Sequence, residues 1–328
     1  MLPRTHEHWQ RVTPRSPCPV CRHGGWCRVS PDRKLAACMR VSLGAFKKVM
    51  TRGGENYLHR ISDEDASSLA IAAPARRTDP SLALAPPEHR HAVYNAFLDG
   101  LTVSEKHALE LRDRRGLSEE AVVQNLYASV PPAGELALHV ARIAGEFVLA
   151  GVPGFFRNEH DDWRWWSEAL PGELLIPVRD RQGRISAILR GTAREPKYLW
   201  MSNGDRGPSC STPLHFARPY MADLHPDRPV IITESPLKAD IIAEHLPLAV
   251  IGFGGATSIA PIDAELERLA RRDVAIAFDA DEQKKPNVRA ALVRLGRKLS
   301  AAGIRAEVLR WEESLGNGLD DVLIGRAA

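Results

Sequence analysis

The last third of the chain alternates short apolar runs with segments of helical spacing. The runs VIIT and LAVIGF lead into the helical segment PLKADIIAEHL and a glycine-rich turn, and VAIAF leads into a helical pattern over residues 287–302. A further apolar run, AEVLRW, follows. Such alternation is typical of a parallel sheet flanked by helices. We therefore predict a Rossmann-like parallel sheet in residues 223–328.

The middle of the chain, residues 91–222, has a mixed pattern. Residues 91–128 have helical spacing, interrupted at Gly116, after which Ser118 and two glutamates predict the start of a second helix. The apolar runs ELLIPV and RISAILR enclose the polar turn RDRQG, which predicts a β-hairpin. We expect a mixed α/β subdomain here.

Two short regions precede this subdomain. Residues 1–60 predict small strands joined by turns, whereas residues 61–90 include the proline- and alanine-rich stretch IAAPARRTDPSLALAPPEHR, which predicts a semi-rigid linker. The predicted fold class is therefore α+β multidomain: a small β domain, a linker, and an α/β core that ends in a parallel sheet.

Composition narrows the possible classes of protein. Hydrophobic residues make up 44% of the 328 residues, which excludes wholesale disorder. No apolar run approaches the roughly 18–20 residues that span a bilayer, and the first residues lack the apolar core of a signal peptide, so we expect a cytoplasmic protein without a membrane partner. Residues 1–60 hold twelve Lys and Arg against three acids, which favours a polyanionic partner near that end.

Four of the five cysteines form a cluster in the sequence: Cys18, Cys21, Cys27 and Cys38. Two close cysteines on one turn and two more from an adjoining hairpin are how a tetrahedral zinc site is assembled. We expect these four cysteines to bind one structural Zn²⁺. Two alternatives are that His23 replaces Cys27 as a ligand, or that the four cysteines are ordinary thiols. Neighbouring tryptophan and arginine side chains suit unstacked bases and phosphates, or form a solvated basic face.

Acidic residues follow two of the predicted strands. Glu234 comes directly after VIIT, and Asp279 and Asp281 follow VAIAF. Because ligands bind beyond the carboxyl ends of parallel strands, these acids should meet there and bind Mg²⁺ or Mn²⁺. The pair Asp320 and Asp321 either completes this metal site or caps the last helix.

Several of these motifs resemble those of DnaG-type primases. Glu234 with Asp279-Ala-Asp281 resembles the Toprim metal-binding pattern of primases, topoisomerases and some nucleases. The segments RDRRGLSEEAVVQNLYASVP, LLIPVRDRQGRISAILRG and EPKYLWMSNGDRGPSCSTPLHFARP are similar, in this order, to three segments of the DnaG catalytic core. With the zinc ribbon, the resemblance covers nearly the whole chain.

The resemblance implies a nucleotidyltransferase that makes short RNA primers on single-stranded DNA from nucleoside triphosphates by a two-metal mechanism. It implies that Glu234, Asp279 and Asp281 bind the catalytic metals. It further implies that nucleotide phosphates or template are bound by Arg115, Arg190 and Lys197, at basic positions of the matching segments, and by Lys238. Lys238 is also a departure, because DnaG-type sequences have aspartate there and topoisomerases have lysine.

Other functions remain open. A Toprim nuclease would use the same acids with water as the nucleophile, and a non-catalytic zinc-ribbon protein of plasmid or phage replication would only bind DNA. The chain has no G-x4-GK[ST] phosphate loop, so we expect any replicative helicase to act in trans, and a phage, plasmid or mobile-element origin is the analogy we favour.

Overall fold

The computed structural model has two compact units, Met1–Arg76 and Arg77–Ala328. The residues that it describes are 9–13, 16–30, 34–51, 54–61, 83–165, 171–192, 198–201, 207–219, 227–270, 272–281 and 285–325. The fold is mixed α+β, with a cysteine-bearing strand region followed by the α/β core, as predicted.

The first unit contains one antiparallel sheet. Its strands are β1 (Gln10–Arg11), β2 (Arg28–Val29), β3 (Leu35–Cys38), β4 (Lys47–Thr51) and β5 (Gly54–Arg60), in the order β1-β2-β3-β5-β4. The apolar cluster described in this unit is small, and three of its five buried members are cysteines. A unit with so small an apolar core depends on an additional source of stability.

The second unit begins with helical segments. These are α1 (Pro87–Asp99), α2 (Glu105–Leu109), a single π turn (Glu110–Arg114) and α3 (Glu119–Gln124). Ser118 caps α3 as predicted, with its hydroxyl accepting from the Ala121 amide. Helix α1 begins within residues 61–90, which the sequence predicts as a linker. Pro87 occupies the first turn of this helix, where its missing amide hydrogen costs nothing. Residues 62–82 of that linker lie outside the described residues.

An antiparallel sheet forms the centre of the second unit. Its strands are β6 (Ala128–Ser129), β9 (Leu174–Arg179), β10 (Ile185–Gly191) and β11 (Tyr198–Trp200). Between β6 and β9 the chain forms α4 (Ala133–Glu146) and a separate hairpin of β7 (Phe155–Arg157) and β8 (Trp163–Trp165). The strand order is β11-β10-β9-β6, and β9 and β10 form the hairpin expected from ELLIPV and RISAILR.

A second sheet, mostly parallel, lies nearer the C-terminus. Its elements are β12 (His215–Ala217), β13 (Val230–Thr233), α5 (Pro236–His245), β14 (Val250–Gly252), α6 (Leu266–Leu269), β15 (Val274–Ala277), α7 (Pro286–Ala301), β16 (Ala306–Val308) and α8 (Leu319–Leu323). The order is β12-β14-β13-β15-β16, and every pair is parallel except β12 with β14. The edge strand β12 comes from residues that we had assigned to the preceding subdomain.

Helix α5 connects the two sheets of this unit. Leu237 and Ile241 pack against the β9–β10 hairpin, whereas Ala239 and Ile242 pack against the inner strands of the C-terminal sheet. Helix α7 covers the opposite face of that sheet. A helix that is apolar on both sides is a core element, so α5 is held from two directions. Among the described residues, no helix is both long enough and apolar enough to cross a bilayer.

Candidate functional site

Acidic side chains meet at the carboxyl edge of the C-terminal sheet. Strands β13 and β15 are adjacent and parallel, with Thr233 opposite Ala277. Glu234 therefore leaves β13 at the level where the chain leaves β15 toward Asp279. Both side chains are mostly buried, at 13% and 15% exposure. The parallel register brings the two carboxylates to one place because both follow strand ends on the same side of the sheet.

Lys238 lies between these two carboxylates. Its Nζ is 3.4 Å from Glu234 Oε1 and forms a close ion pair with Asp279 Oδ1. The Ser235 hydroxyl accepts a hydrogen bond from the Lys238 amide at 3.3 Å, which caps α5 and determines where the lysine stem begins. Where the resemblance led us to expect contact with nucleotide or template, the lysine is paired with the predicted metal ligands.

The loop before α8 closes the other side of this cluster. Asn317 Nδ2 donates to Asp279 Oδ2 at 3.0 Å, and the Ala280 amide donates to the Asn317 carbonyl at 2.7 Å. A β-carbon added at Gly318 would lie 2.0 Å from Asp320 Oδ1 and 3.1 Å from Lys238 Nζ. Because Gly318 has no side chain, Asp320 Oδ1 and Lys238 Nζ can both lie close to its backbone.

Asp320 and Asp321 have different environments. Asp321 Oδ2 accepts a hydrogen bond from the Gly318 amide at 2.9 Å, so this side chain caps α8. The Asp320 side chain is 1% exposed, and its Oδ2 lies 3.5 Å from Arg115 NH1. Of the two roles expected for the pair, Asp321 has the capping geometry and Asp320 faces the carboxylate cluster.

Arg115 reaches this cluster from the other end of the unit's sequence. It follows the π turn, and its amide donates to the Glu110 carbonyl at 3.0 Å. The next residue, Gly116, has φ +68°, and an added β-carbon would lie 2.2 Å from Ile324 Cγ2. The left-handed turn at Gly116 and its tight packing direct Arg115 toward Asp320. The π turn just before Arg115 is of a kind that often occurs at functional sites.

Asp281 lies at the outer side of the cluster. Its Oδ2 pairs with Lys285 Nζ at 2.6 Å, and Lys285 is half exposed. Among the described residues, Asp281 Oδ1 and Asp320 Oδ1 are buried oxygens without a hydrogen-bond partner. Buried carboxylate oxygens are costly to leave unpaired, so these two atoms are available acceptors for a cation.

The electrostatics follow from burial and from these ion pairs. Burial, together with the hydrogen bond to Asp279, raises the pKa of Glu234 to about 7. Burial alone would raise the pKa of Asp279, but its hydrogen bond with Glu234 and the charge of Lys238 lower it. Burial would lower the pKa of Lys238, but the carboxylates of Asp279, Asp320 and Glu234 together raise it. The ammonium is therefore held as a cation among the carboxylates.

One further basic residue of the predicted site, Arg190, lies within the described part of the chain. Arg190 is on β10 and is buried, with 3% of its side chain exposed, and it pairs with the buried Glu173 at 3.0 Å. This ion pair within the β9–β10 region takes up the guanidinium that the resemblance assigns to phosphate or template. Lys197 lies outside the described residues.

Three residues near the cluster were missed by the sequence analysis: Asn317, Gly318 and Tyr198. Burial raises the pKa of Tyr198, and the nearby charges of Arg115 and Lys238 oppose this shift, so the phenol lies within their field. The run GNG, separated from the acidic pair by one leucine, is a signal that could have pointed to the loop, because two glycines beside a short amide suit a close backbone approach.

The first unit contains a second cluster, formed by the four cysteines. The Sγ atoms of Cys18, Cys21, Cys27 and Cys38 lie within 4.8 Å of one another and could hold a metal ion. Backbone amides of Met39, Arg40 and Val41 donate to Cys27 or Cys38 sulfurs at 3.4–3.5 Å. His23 is not part of this cluster; its Nδ1 lies 2.6 Å from the Cys21 carbonyl oxygen. The thiolate set is that of a structural zinc site.

These features together define a protein with the fold of a DnaG-type primase core and a four-cysteine unit before it. The fold is similar to the zinc-binding and RNA polymerase domains of Aquifex aeolicus primase, with a TM-score of 0.54 at 16% identity over 97% of this chain and 77% of that one. It is also similar to the RNA polymerase domain of Mycobacterium tuberculosis DnaG (TM-score 0.55, 16% identity, 72% and 77% covered). A DnaG catalytic domain bound to single-stranded DNA is a third similar structure (TM-score 0.51, 15% identity, 72% and 74% covered).

Sequence comparison extends over a smaller part of the chain. Residues 221–328 match a family of domains of unknown function, DUF3854. An uncharacterised protein of Picosynechococcus sp., SYNPCC7002_B0001, is 30% identical over 122 residues, which is 32% of this chain and 12% of that protein's length. The family match covers the segments that carry the clustered carboxylates, and the structural similarity concerns the fold.

Proposed function

We propose that this protein is a DNA primase, a nucleotidyltransferase that synthesises short RNA primers on a single-stranded DNA template. The observation that carries the proposal is the convergence of Glu234, Asp279 and Asp320, from three separate loops, at the carboxyl edge of a sheet in this fold. Oxygen ligands gathered at such an edge suit a divalent cation that also binds phosphates.

A catalytic Mg²⁺ or Mn²⁺ would be held by the acids of this cluster: Glu234, Asp279, Asp281 and Asp320. The unpartnered, buried oxygens of Asp281 and Asp320 fit this role, because a cation would satisfy them. When bound, the cation would offset negative charge on the nucleotide phosphates and on the leaving pyrophosphate. Asp321 would contribute by holding the loop, through its hydrogen bond with the Gly318 amide.

The basic side chains beside the acids would neutralise further phosphate charge. Arg115 is 29% exposed and Lys238 is 19% exposed, so each can reach an anion at the edge of the cluster. Both would act by position and charge, not as proton acceptors. Lys197, from the segment that resembles a nucleotide-contacting one, would add a third cation.

The cysteine-bearing unit would hold Zn²⁺ and bind the template. Trp26 is 51% exposed, and the Arg11 guanidinium carbon lies 5.0 Å from its ring centroid. Phe46 is 53% exposed, with the Arg60 guanidinium carbon at 5.7 Å. Exposed rings paired with guanidinium groups suit stacking with unpaired bases and contact with phosphates. A helicase acting in trans and a role in phage, plasmid or mobile-element replication complete the proposal.

The decisive experiment is template-directed synthesis. The full chain is incubated with single-stranded DNA, labelled ribonucleoside triphosphates and Mg²⁺ or Mn²⁺, and products are separated by size. We expect short oligomers from the wild-type protein and none from D279N, which keeps the shape of the side chain but loses its charge. D263N is the matched control, since Asp263 forms a surface ion pair with Lys298. Oligomers from D279N would contradict the proposal.

One observation favours a second candidate, a non-catalytic DNA-binding protein. The Lys238 ammonium occupies the position between Glu234 and Asp279 and already neutralises part of their charge. If this ion pair is permanent, the site does not take up a cation, and the same assay would show DNA binding without synthesis. Shortened DNA would instead indicate a metal-dependent nuclease.

A further inference from the structure

The ion pair of Lys238 affects what the carboxylate cluster can bind. The ammonium contacts the two carboxylates that project from neighbouring strand ends, Glu234 and Asp279, and it faces Asp320 across Gly318. An ammonium among three carboxylates lies where a divalent cation would have to enter. The two cations repel each other strongly at such short range in a mostly buried site.

The Lys238 ammonium can nevertheless move away from the carboxylates without a change in the backbone. The backbone of this lysine is held by the Ser235 cap and by the packing of α5, but its ammonium sits at the end of a flexible four-carbon stem with 19% exposure. Arg115, which pairs with Asp320 at 3.5 Å, is 29% exposed and places a second cation at the same cluster. An incoming triphosphate would offer the ammonium another anion and free the carboxylates.

We propose that Lys238 is an internal counter-ion of the metal site, which weakens divalent-cation binding in the absence of nucleotide and pairs with nucleotide phosphate when the cation binds. The proposal rests on the proposed function, since it assumes that the carboxylates bind a cation during catalysis. It makes cation binding and nucleotide binding mutually dependent, and by linkage each strengthens the other by the same factor.

Two binding measurements on the full chain test this proposal. Free Mn²⁺ is measured by electron paramagnetic resonance without nucleotide, and binding of a fluorescent ribonucleoside triphosphate is measured at saturating Mn²⁺. For K238Q we expect Mn²⁺ affinity to increase about tenfold and nucleotide affinity to fall about tenfold, an energetic coupling of ordinary size. General damage to the fold would weaken both, so the opposite changes are specific to the counter-ion role.

The controls separate this proposal from the proposed function. K238R keeps the charge and should resemble the wild-type protein in both measurements, as should K298Q, whose lysine pairs with Asp263. If K238Q binds Mn²⁺ no more tightly than the wild type, the counter-ion role is wrong, while primer synthesis by the wild type would stand. If D279N and the wild type bind Mn²⁺ equally, the metal site itself is wrong, and both proposals fail.

Discussion

Asn317 donates a hydrogen bond from Nδ2 to Asp279 Oδ2 at 3.0 Å, across 38 positions of the sequence. The other oxygen of this carboxylate pairs with Lys238, so both oxygens of Asp279 have a defined partner. The Ala280 amide also donates to the Asn317 carbonyl, so two hydrogen bonds connect the loop after β15 with the loop before α8. The orientation of a strand-end acid is therefore determined by a loop that the strand pattern does not reveal.

The first prediction concerns Asn317. We expect N317A to reduce primer synthesis about tenfold, because a hydrogen bond to a charged group contributes about 1.5–3 kcal/mol and its loss frees Asp279 to rotate. Synthesis rates on a fixed template provide the measurement. N95A is the control, since Asn95 is exposed on α1. Equal rates for N317A and the wild type would show that the hydrogen bond does not position Asp279.

Gly318 provides a second prediction, on stability. G318A should lower the free energy of unfolding by about 1–3 kcal/mol, because the new methyl group would meet Asp320 Oδ1 in a closely packed place. Its φ of −101° suits any residue, so the cost comes from the contact and not from the backbone. Urea denaturation measures it. G296A, in the middle of α7 with open space at the added β-carbon, should instead gain up to about 1 kcal/mol.

Asp240, on α5, belongs to a buried polar network. Tyr127 Oη donates to Asp240 Oδ2 at 2.6 Å, and His215 Nε2 lies 2.9 Å from Asp240 Oδ1. We expect Y127F to cost about 1–3 kcal/mol of unfolding free energy, because one oxygen of a buried carboxylate loses its donor. Urea denaturation of Y127F and of R142A, which breaks an exposed ion pair on α4, makes the comparison. A cost no larger than that of R142A would be contrary to this expectation.

Arg190 and Glu173 provide a fourth prediction, which separates structure from substrate binding. R190M should destabilise the protein by about 3–5 kcal/mol, since it removes the cation that pairs with a buried carboxylate. The double variant R190M/E173M should recover much of this loss. Thermal or urea unfolding of R190M, E173M and the double variant, each compared with the wild type, measures the coupling. If Arg190 instead contacts phosphate, the double variant would fold well and still bind nucleotide poorly.

The cysteine cluster provides the fifth prediction. The wild-type protein should contain about one zinc per chain, and C27S should lose it, together with the folded state of the first unit, because metal binding supplies the folding free energy of such a small core. Metal analysis and limited proteolysis check this. C210S is the matched control, because Cys210 is buried in the second unit and is not one of the four clustered cysteines. Full zinc content in C27S would mean that Cys27 is not a ligand.

Parts of this architecture could be predicted from local sequence because they depend on local periodicity. Runs such as VIIT and VAIAF predict buried strands, and the direction of a parallel strand determines that Glu234 and Asp279 emerge at the same edge. The spacing of the cysteines likewise predicts a common site, because a short turn and a hairpin can bring sulfurs within a few ångströms.

The side-chain partners could not be predicted in this way. Strand β10 is buried on both faces, so period-two alternation gives no sign of whether Arg190 points to solvent or to Glu173. The same holds for the different roles of Asp320 and Asp321, which depend on Arg115 and on the Gly318 amide. These partners are distant in sequence or differ by one residue in a turn.

The sequence by itself determined the parallel strands of the C-terminal sheet, the β9–β10 hairpin, the cysteine cluster and the edge at which Glu234 and Asp279 emerge, since each follows from local spacing or from the direction of parallel strands. Only the tertiary structure decided that Lys238 lies between Glu234 and Asp279, that Asn317 holds Asp279, and that Arg190 is buried. These arrangements arise where segments far apart in the chain meet, and the energy of an ion pair or hydrogen bond depends on the distance between its two partners.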